Sequence, residues 1–150
     1  MPQSLSNIYV HLIFSTKDRF PFLKDEVRGE LHAYMATVLT NLGCPTILIN
    51  SVEDHAHILF KLGRTVTLAK AVEEVKKSSS KWIKPKSVTL GKFSWQAGYG
   101  AFSVSESNVG AVANYIRNQE EHHRARTFQE EFREFLLKNK IAYDERYVWD

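Results

Sequence analysis

The stretch EDHAHILF, residues 53–60, puts two histidines two residues apart at the start of an apolar strand. In an extended chain, side chains two apart share a face. If Ala56, Ile58 and Phe60 feed a core, His55, His57 and Leu59 stand together on the opposite face. Neutral imidazole nitrogens placed that way can share a divalent cation. Two half-exposed structural histidines fit the same short motif. A magnesium or manganese site also wants an oxygen ligand and waters, and the strand carries no third group. One candidate lies in NVGAVANYIRNQEEHH, where Val109, Val112, Ala113 and Ile116 make the apolar stripe of a predicted helix. Tyr115 and Gln119 are four apart and stack on its flank. With that helix against the histidine face, Gln119 can offer its amide oxygen to the ion, and Tyr115 can reach a group bound there. A tyrosine half buried at a helix seam, with a glutamine at its edge, is the plainer alternative.

These residues need a scaffold, and the hydrophobic pattern supplies one. NIYVHLIFS, residues 7–15, alternates as a strand, with Ile8, Val10, Leu12 and Phe14 on one face and Tyr9, His11 and Ile13 on the other. His11 therefore joins the face of His55 and His57. Val27, Leu31, Tyr34, Met35, Val38, Leu39 and Leu42 follow helical spacing from Lys24 to Leu42, and Gly43 stops that helix. TILINSV after Pro45 reads as a second strand and His55 to Leu62 as a third. Thr65 or Thr67 can cap a helix through LAKAVEEVKKSSSKWI, weakened near its end by three serines. A fourth strand occupies the latter half of FSWQAGYGAFSVS, and a single helix is expected from about Ser107 to His122. Thr127 with Glu130 forms a capping box for a last helix whose Phe128, Phe132, Phe135 and Leu136 share a side. The aromatic tail IAYDERYVWD is expected to pack against the body. No repeat or linker interrupts the chain, so the expectation is one domain over 1–150. Its fold class would be α+β, a ferredoxin-like (RRM-like) β-α-β-β-α-β antiparallel sheet with both helices on one face and additional C-terminal helices. The other sheet face is left for the trailing helices or a second subunit.

Composition narrows the function classes. No apolar stretch approaches a membrane span, and the N-terminus MPQSLSNIYV lacks the features of a signal peptide, so the cytoplasm is the expected location. The lone Cys44 has no partner for a disulfide or a cysteine-based zinc site. A net charge of +3 says little, but its distribution is uneven. Residues 61–92 hold nine Lys/Arg against Glu73 and Glu74, leaving eleven basic and fifteen acidic residues elsewhere. A concentration of this kind suits an anionic polymer, because each neutralised phosphate releases counterions. A solubilising surface helix would look the same.

The chain resembles the single-tyrosine, HUH-class insertion-sequence transposases, a group that includes the transposases associated with repetitive extragenic palindromes. The resemblance runs nearly end to end: NIYVHLIFSTKDRF, DHAHILF, LAKAVEEVKKSSSKW, FSWQAGYGAFSVS and YIRNQEEHH occur in order. It implies that His55 and His57 are the paired metal-binding histidines, Gln119 the third protein ligand of a Mg or Mn ion, and Tyr115 the nucleophile. Ala56 stands between the histidines where the class usually has a bulkier apolar residue. His11 matches a first-strand histidine of relatives, without an assigned role.

The implied reaction is cleavage and strand transfer of single-stranded DNA at mobile-element ends, through a 5′-phosphotyrosine and a free 3′-hydroxyl. The implied partners are single-stranded DNA with terminal hairpins and a second copy of the chain, a homodimer in which the tyrosine helix can act in trans. A monomer whose tail caps its own open face is the other arrangement. For DNA contact the expected residues are Lys17 and Arg19 after the first strand, with Lys76, Lys77, Lys81, Trp82, Lys84 and Lys86 in the basic segment. Trp82 can stack on a base or anchor its helix. Two readings compete with the enzyme. One is a non-catalytic single-stranded nucleic-acid binder on the same sheet. The other is a dimerisation module needing no metal.

Overall fold

The computed structural model describes residues 2–150. Four strands, β1 (Tyr9–Ser15), β2 (Thr46–Ser51), β3 (His55–Lys61) and β4 (Gly100–Val104), form one sheet in the order β2-β3-β1-β4. Every pairing is antiparallel. Helices α1 (Asp25–Asn41) and α2 (Leu68–Ile83) are the two crossovers, which completes the β-α-β-β-α-β order of an α+β, ferredoxin-like fold. Three helices follow: α3 (Val109–Arg117), α4 (Gln119–Ala125) and α5 (Phe128–Lys138).

Alternation in β1 and β3 separates the two faces. Val10, Leu12 and Phe14 of β1 and Ala56, Ile58 and Phe60 of β3 pack with Leu31, Met35 and Leu39 of α1 and Val72 and Val75 of α2. On the reverse face, Leu59 meets Ala113 and Ile116 of α3, while Ile13 and Phe102 meet Phe128, Phe132 and Leu136 of α5. The trailing helices thus cover the face that the two-crossover unit leaves open. Burying each such apolar side chain is worth about 1.5–3 kcal/mol, so α5 is firmly docked. Gly100 makes that docking possible: a Cβ there would come within 2.7 Å of the Phe132 ring.

The tail packs as the aromatic content implies, with Val148 and Trp149 against the α5 cluster. Asp150 O accepts from the backbone N–H of Gly98 and the Gln96 side chain. Thr67 caps α2 by accepting from Lys70 N, and Thr127 with Glu130 completes a reciprocal capping box on α5.

Helix α2 runs to Ile83, the full stretch expected of it, and the buried Ser79 Oγ donates to Val75 O and accepts from Trp95 Nε1. One expectation needs correction. The predicted single helix over 107–122 breaks at Asn118 (φ −94°, ψ 25°), which ends α3 and precedes α4. Tyr115 and Gln119 therefore sit on two consecutive helices.

Candidate active site

The reverse face of the sheet buries polar groups at its centre. His11, His55, His57, Gln119 and Glu131 are each at most 2% exposed. Strand register accounts for the histidines: His57 pairs with Ile13 and His11 with Leu59, two rungs apart on the β1–β3 ladder and so on the same face. Buried polar atoms must find partners, and the pattern of partners defines the site.

His55 Nδ1 donates to Asp54 Oδ1 at 2.7 Å, which directs its Nε2 inward. His57 Nδ1 lies 2.8 Å from His11 Nε2. The Nε2 of His57 faces a carboxylate oxygen of Glu131 and donates to it, so the neutral ring's Nδ1 accepts from His11 Nε2. Both strand histidines are thus oriented through the nitrogen that faces away from the centre, as the outer partners of metal-bound imidazoles do. His11, without an assigned role in the sequence, holds His57 in place.

Glu131 of α5 reaches into this centre. Its Oε1 lies 3.0 Å from His57 Nε2 and 3.3 Å from His55 Nε2. Its Oε2 accepts from Gln119 Nε2 at 3.0 Å and from the Tyr115 hydroxyl in a short hydrogen bond. Arg126, in the connection between α4 and α5, donates through a terminal nitrogen to Tyr115 Oη at 2.6 Å and pairs with Glu134 through the other. Gln119 Nε2 is 3.2 Å from His55 Nε2, whereas Gln119 Oε1 is buried without a hydrogen-bond partner. Tyr115 also stacks on His122 with ring centroids 4.2 Å apart. Tyr115, Arg126 and His11 contribute to the wall of a cavity of about 420 Å³.

The electrostatics follow from burial and from Glu131. Burial alone would lower His55, but hydrogen bonds and charge from Asp54 and Glu131 raise it above the ordinary imidazole value. Burial lowers His57 despite Glu131, and lowers His11 to about 3. Burial opposes ionisation of Glu131, yet the hydrogen bonds from His55 and His57 hold its carboxyl well below the usual carboxylate range. Burial, then the Glu131 hydrogen bond and charge, raise the Tyr115 phenol well above its ordinary value, with Arg126 acting in the opposite direction. In this state the tyrosine is a protonated phenol held by a carboxylate and a guanidinium.

A divalent cation suits these residues. His55 and His57 offer two nitrogens, and Gln119 carries an unpartnered buried amide oxygen. His55, His57, Gln119 and Tyr115 are brought together within one chain. Glu131 and Arg126 were not singled out from the sequence, although Glu131 left a trace. It falls at the buried spacing of α5, between Phe128 and Phe132, where an unpaired carboxylate would be costly.

The expected DNA-contact residues are dispersed. Lys77, Lys81, Lys84 and Lys86 are exposed along α2 and just beyond it, although Lys77 pairs with Glu74 and Lys84 donates to Ser80. Lys76 drops out: its half-buried ammonium donates to the carbonyls of Gln96, Ala97 and Gly98, and burial lowers it to about 8. Trp82 anchors its helix, its ring stacked on Tyr34 with Lys86 over it, so no free face for a base is evident. Arg19 donates to Trp149 O. Exposed Lys17 shares a cleft of about 700 Å³ with Phe20, Val88 and Lys92.

The family profile of IS200-like transposases matches residues 4–119. The chain belongs to this family of DNA-transposition proteins. Its fold is similar to that of a Deinococcus radiodurans R1 protein assigned provisionally as a transposase. That match has 24% identity and a TM-score of 0.62, and covers 79% of this chain and 98% of the other. It is similar also to the REP-associated tyrosine transposase in complex with a REP hairpin, at 13% identity and a TM-score of 0.61, covering 82% and 72% respectively. No curated protein matches the chain significantly. Among the described residues, no helix is long and apolar enough to cross a membrane.

Proposed function

We propose that this transposase cuts and rejoins single-stranded DNA with Tyr115 as its nucleophile, at a site where His55, His57 and Gln119 hold a Mg or Mn ion. The observation that carries the reading is the convergence, on one buried sheet face, of two oriented imidazoles, an unpartnered amide oxygen and a phenol. The cation supplies Lewis-acid polarisation of a phosphate oxygen and stabilises charge that develops during cleavage.

The chain's own residues do the rest. Tyr115 Oη attacks the scissile phosphorus, forming the phosphotyrosyl bond, while the bond from phosphorus to the 3′-oxygen breaks and that oxygen leaves with a proton as a 3′-hydroxyl. Oε2 of Glu131 already accepts the phenol hydrogen bond and is within reach of the proton that Tyr115 must lose. Arg126 contacts the same phenol oxygen and favours negative charge there. The cavity beside Tyr115 is the open approach for the strand, because α5 covers the histidines. Reversal by another 3′-hydroxyl joins new ends without an added energy source, since the phosphotyrosyl bond conserves the phosphodiester bond.

DNA hairpins are the proposed substrates. Lys17 and Lys92 line one cleft, Lys77, Lys81, Lys84 and Lys86 are exposed on and just beyond α2, and Arg19 is nearby in sequence. Within one chain Tyr115 already lies beside the site, which supports a reaction in cis. A homodimer remains compatible with this arrangement, and tyrosine exchange between copies would require α3 to α5 to undock. A binder of the RRM kind reads bases with aromatics exposed on its central strands. Here α3 to α5 bury that face, which favours the enzyme.

The test is incubation of the full chain with hairpin-bearing single-stranded DNA and Mg or Mn, followed by intact-mass measurement. A DNA adduct should form on the wild-type protein, vanish with chelator, and be absent from Tyr115→Phe. An adduct of undiminished yield on Tyr115→Phe would overturn the assignment.

A further inference from the structure

Glu131 lies beyond residues 4–119, the segment matched by the family profile, yet its carboxylate occupies the centre of the histidine face. We infer that Glu131 is an additional, anionic ligand of the divalent cation, brought in by α5, and that its second oxygen ties the nucleophile to the metal site. The inference rests on the function proposed above.

Three observations carry it. The first is geometry. Oε1 of Glu131 lies 3.0 Å and 3.3 Å from the inward nitrogens of His57 and His55. Adjacent ligands around an ion with bonds of about 2.1 Å stand about 3 Å apart in an octahedral arrangement. Gln119 Nε2 falls in the same range, 3.2 Å from His55 Nε2 and 3.0 Å and 3.3 Å from the two Glu131 oxygens. A half-turn of the amide exchanges its nitrogen for Oε1, the atom now without a partner. The set then comprises two nitrogens and two oxygens, a donor set compatible with Mn, and with Mg where waters complete the shell.

The second is charge. A carboxylate only 2% exposed needs a compensating cation. Arg126 is 3.8 Å from Oε2 and is shared with Glu134, and Asp54 brings another carboxylate to the outer side of His55. Without an ion the N–H groups of His55 and His57 meet Oε1, and an ion between Glu131 and the imidazoles would take over that role.

The third is the fold. The apolar docking of Phe128, Phe132 and Leu136 fixes α5 against the sheet and determines where Glu131 points. The capping box at Thr127 sets the helix start one turn earlier. Because Oε2 accepts from Tyr115, a carboxylate with Oε1 on the ion holds the phenol one residue's reach from it.

The experiment is Mn binding without DNA, by calorimetry and by the Mn EPR signal, on the full chain and on Glu131→Gln, Glu131→Asp and His57→Ala. Glu131→Gln should weaken Mn binding at least tenfold and reduce the rise in melting temperature that Mn confers. Glu131→Asp, which keeps the charge, should fall between Glu131→Gln and wild type. Melting curves without metal establish that each variant is folded. Should Glu131→Gln fail to fold, the Glu131→Asp comparison with wild type decides alone: equal affinities overturn the inference. Glu131→Gln binding Mn within twofold of wild type, while His57→Ala loses it, would remove Glu131 from the site and leave the function standing. Wild-type protein that neither binds Mn nor forms a DNA adduct would remove both.

Discussion

The two faces of this sheet are built by the same strands and are buried to the same degree, yet they do opposite work. On the α1/α2 face, Leu12, Phe14, Ile58 and Phe60 are wholly buried and apolar. On the α3–α5 face, one residue along each strand, His11 and His57 are at most 2% exposed and polar. The first face gains stability from water exclusion alone. The second excludes water from groups that then require specific partners: Asp54 for His55, His11 for His57, and Glu131 for Tyr115 and Gln119. Similar burial therefore reports stability on one side and chemistry on the other, and the convergence of several polar side chains distinguishes them. Among these, Gln119 Oε1 is buried on the second face without a hydrogen-bond partner.

The contrast can be broken at either face. Phe60→Ala, which opens a cavity in the apolar face, should lower unfolding free energy by about 3–5 kcal/mol in denaturant titration. Whatever remains folded should retain Mn affinity. Coupled loss of both would mean that the faces are not independent. His11→Phe should do the reverse, weakening Mn binding by about 10–100-fold through loss of the partner that orients His57, with a smaller effect on the denaturation midpoint. Unchanged Mn affinity would reduce His11 to a packing residue.

The smallest effect concerns His32, on α1, which contacts Ser51 Oγ at 2.7 Å. Burial, reinforced by Arg28, lowers it to about 4. Its folded pKa lies below the unfolded value, so the unfolded chain takes up the proton first as pH falls. Stability attached to this residue is intact above the unfolded value and lost on acidification toward about 4, with about 1–2 kcal/mol gone by pH 5. Denaturant titrations of wild type and His32→Gln across that range should converge as pH falls. Parallel curves would rule out His32 as the titrating group.

Much of this arrangement was legible as periodicity. Alternation in NIYVHLIFS and DHAHILF assigns the histidines to one face without tertiary information, because a strand's period of two leaves no other choice. The helical stripes through Val109–Ile116 and Phe128–Leu136, and the capping box at Thr127, were equally local. What the serines of α2 bond to was not legible locally. Serine favours caps and turns when its hydroxyl competes for backbone groups in solution, but Ser79 is buried and bonds Val75 O and Trp95. Similarly, the capacity of Trp82 and Lys76 to contact DNA depended on neighbours distant in sequence, Tyr34 for one and the carbonyls of 96–98 for the other.

The amino-acid order by itself determined which side chains share a strand face or helix flank, since backbone geometry repeats every two or 3.6 residues whatever surrounds it. Only the tertiary structure decided that α5 would lie over the histidine face, that Glu131 and Arg126 would close on Tyr115, and that His11 would hold His57. Those contacts join residues far apart in sequence, 74 positions in the case of His57 and Glu131. No local period encodes such pairings: they follow from how the apolar stripes of separate elements bury one another.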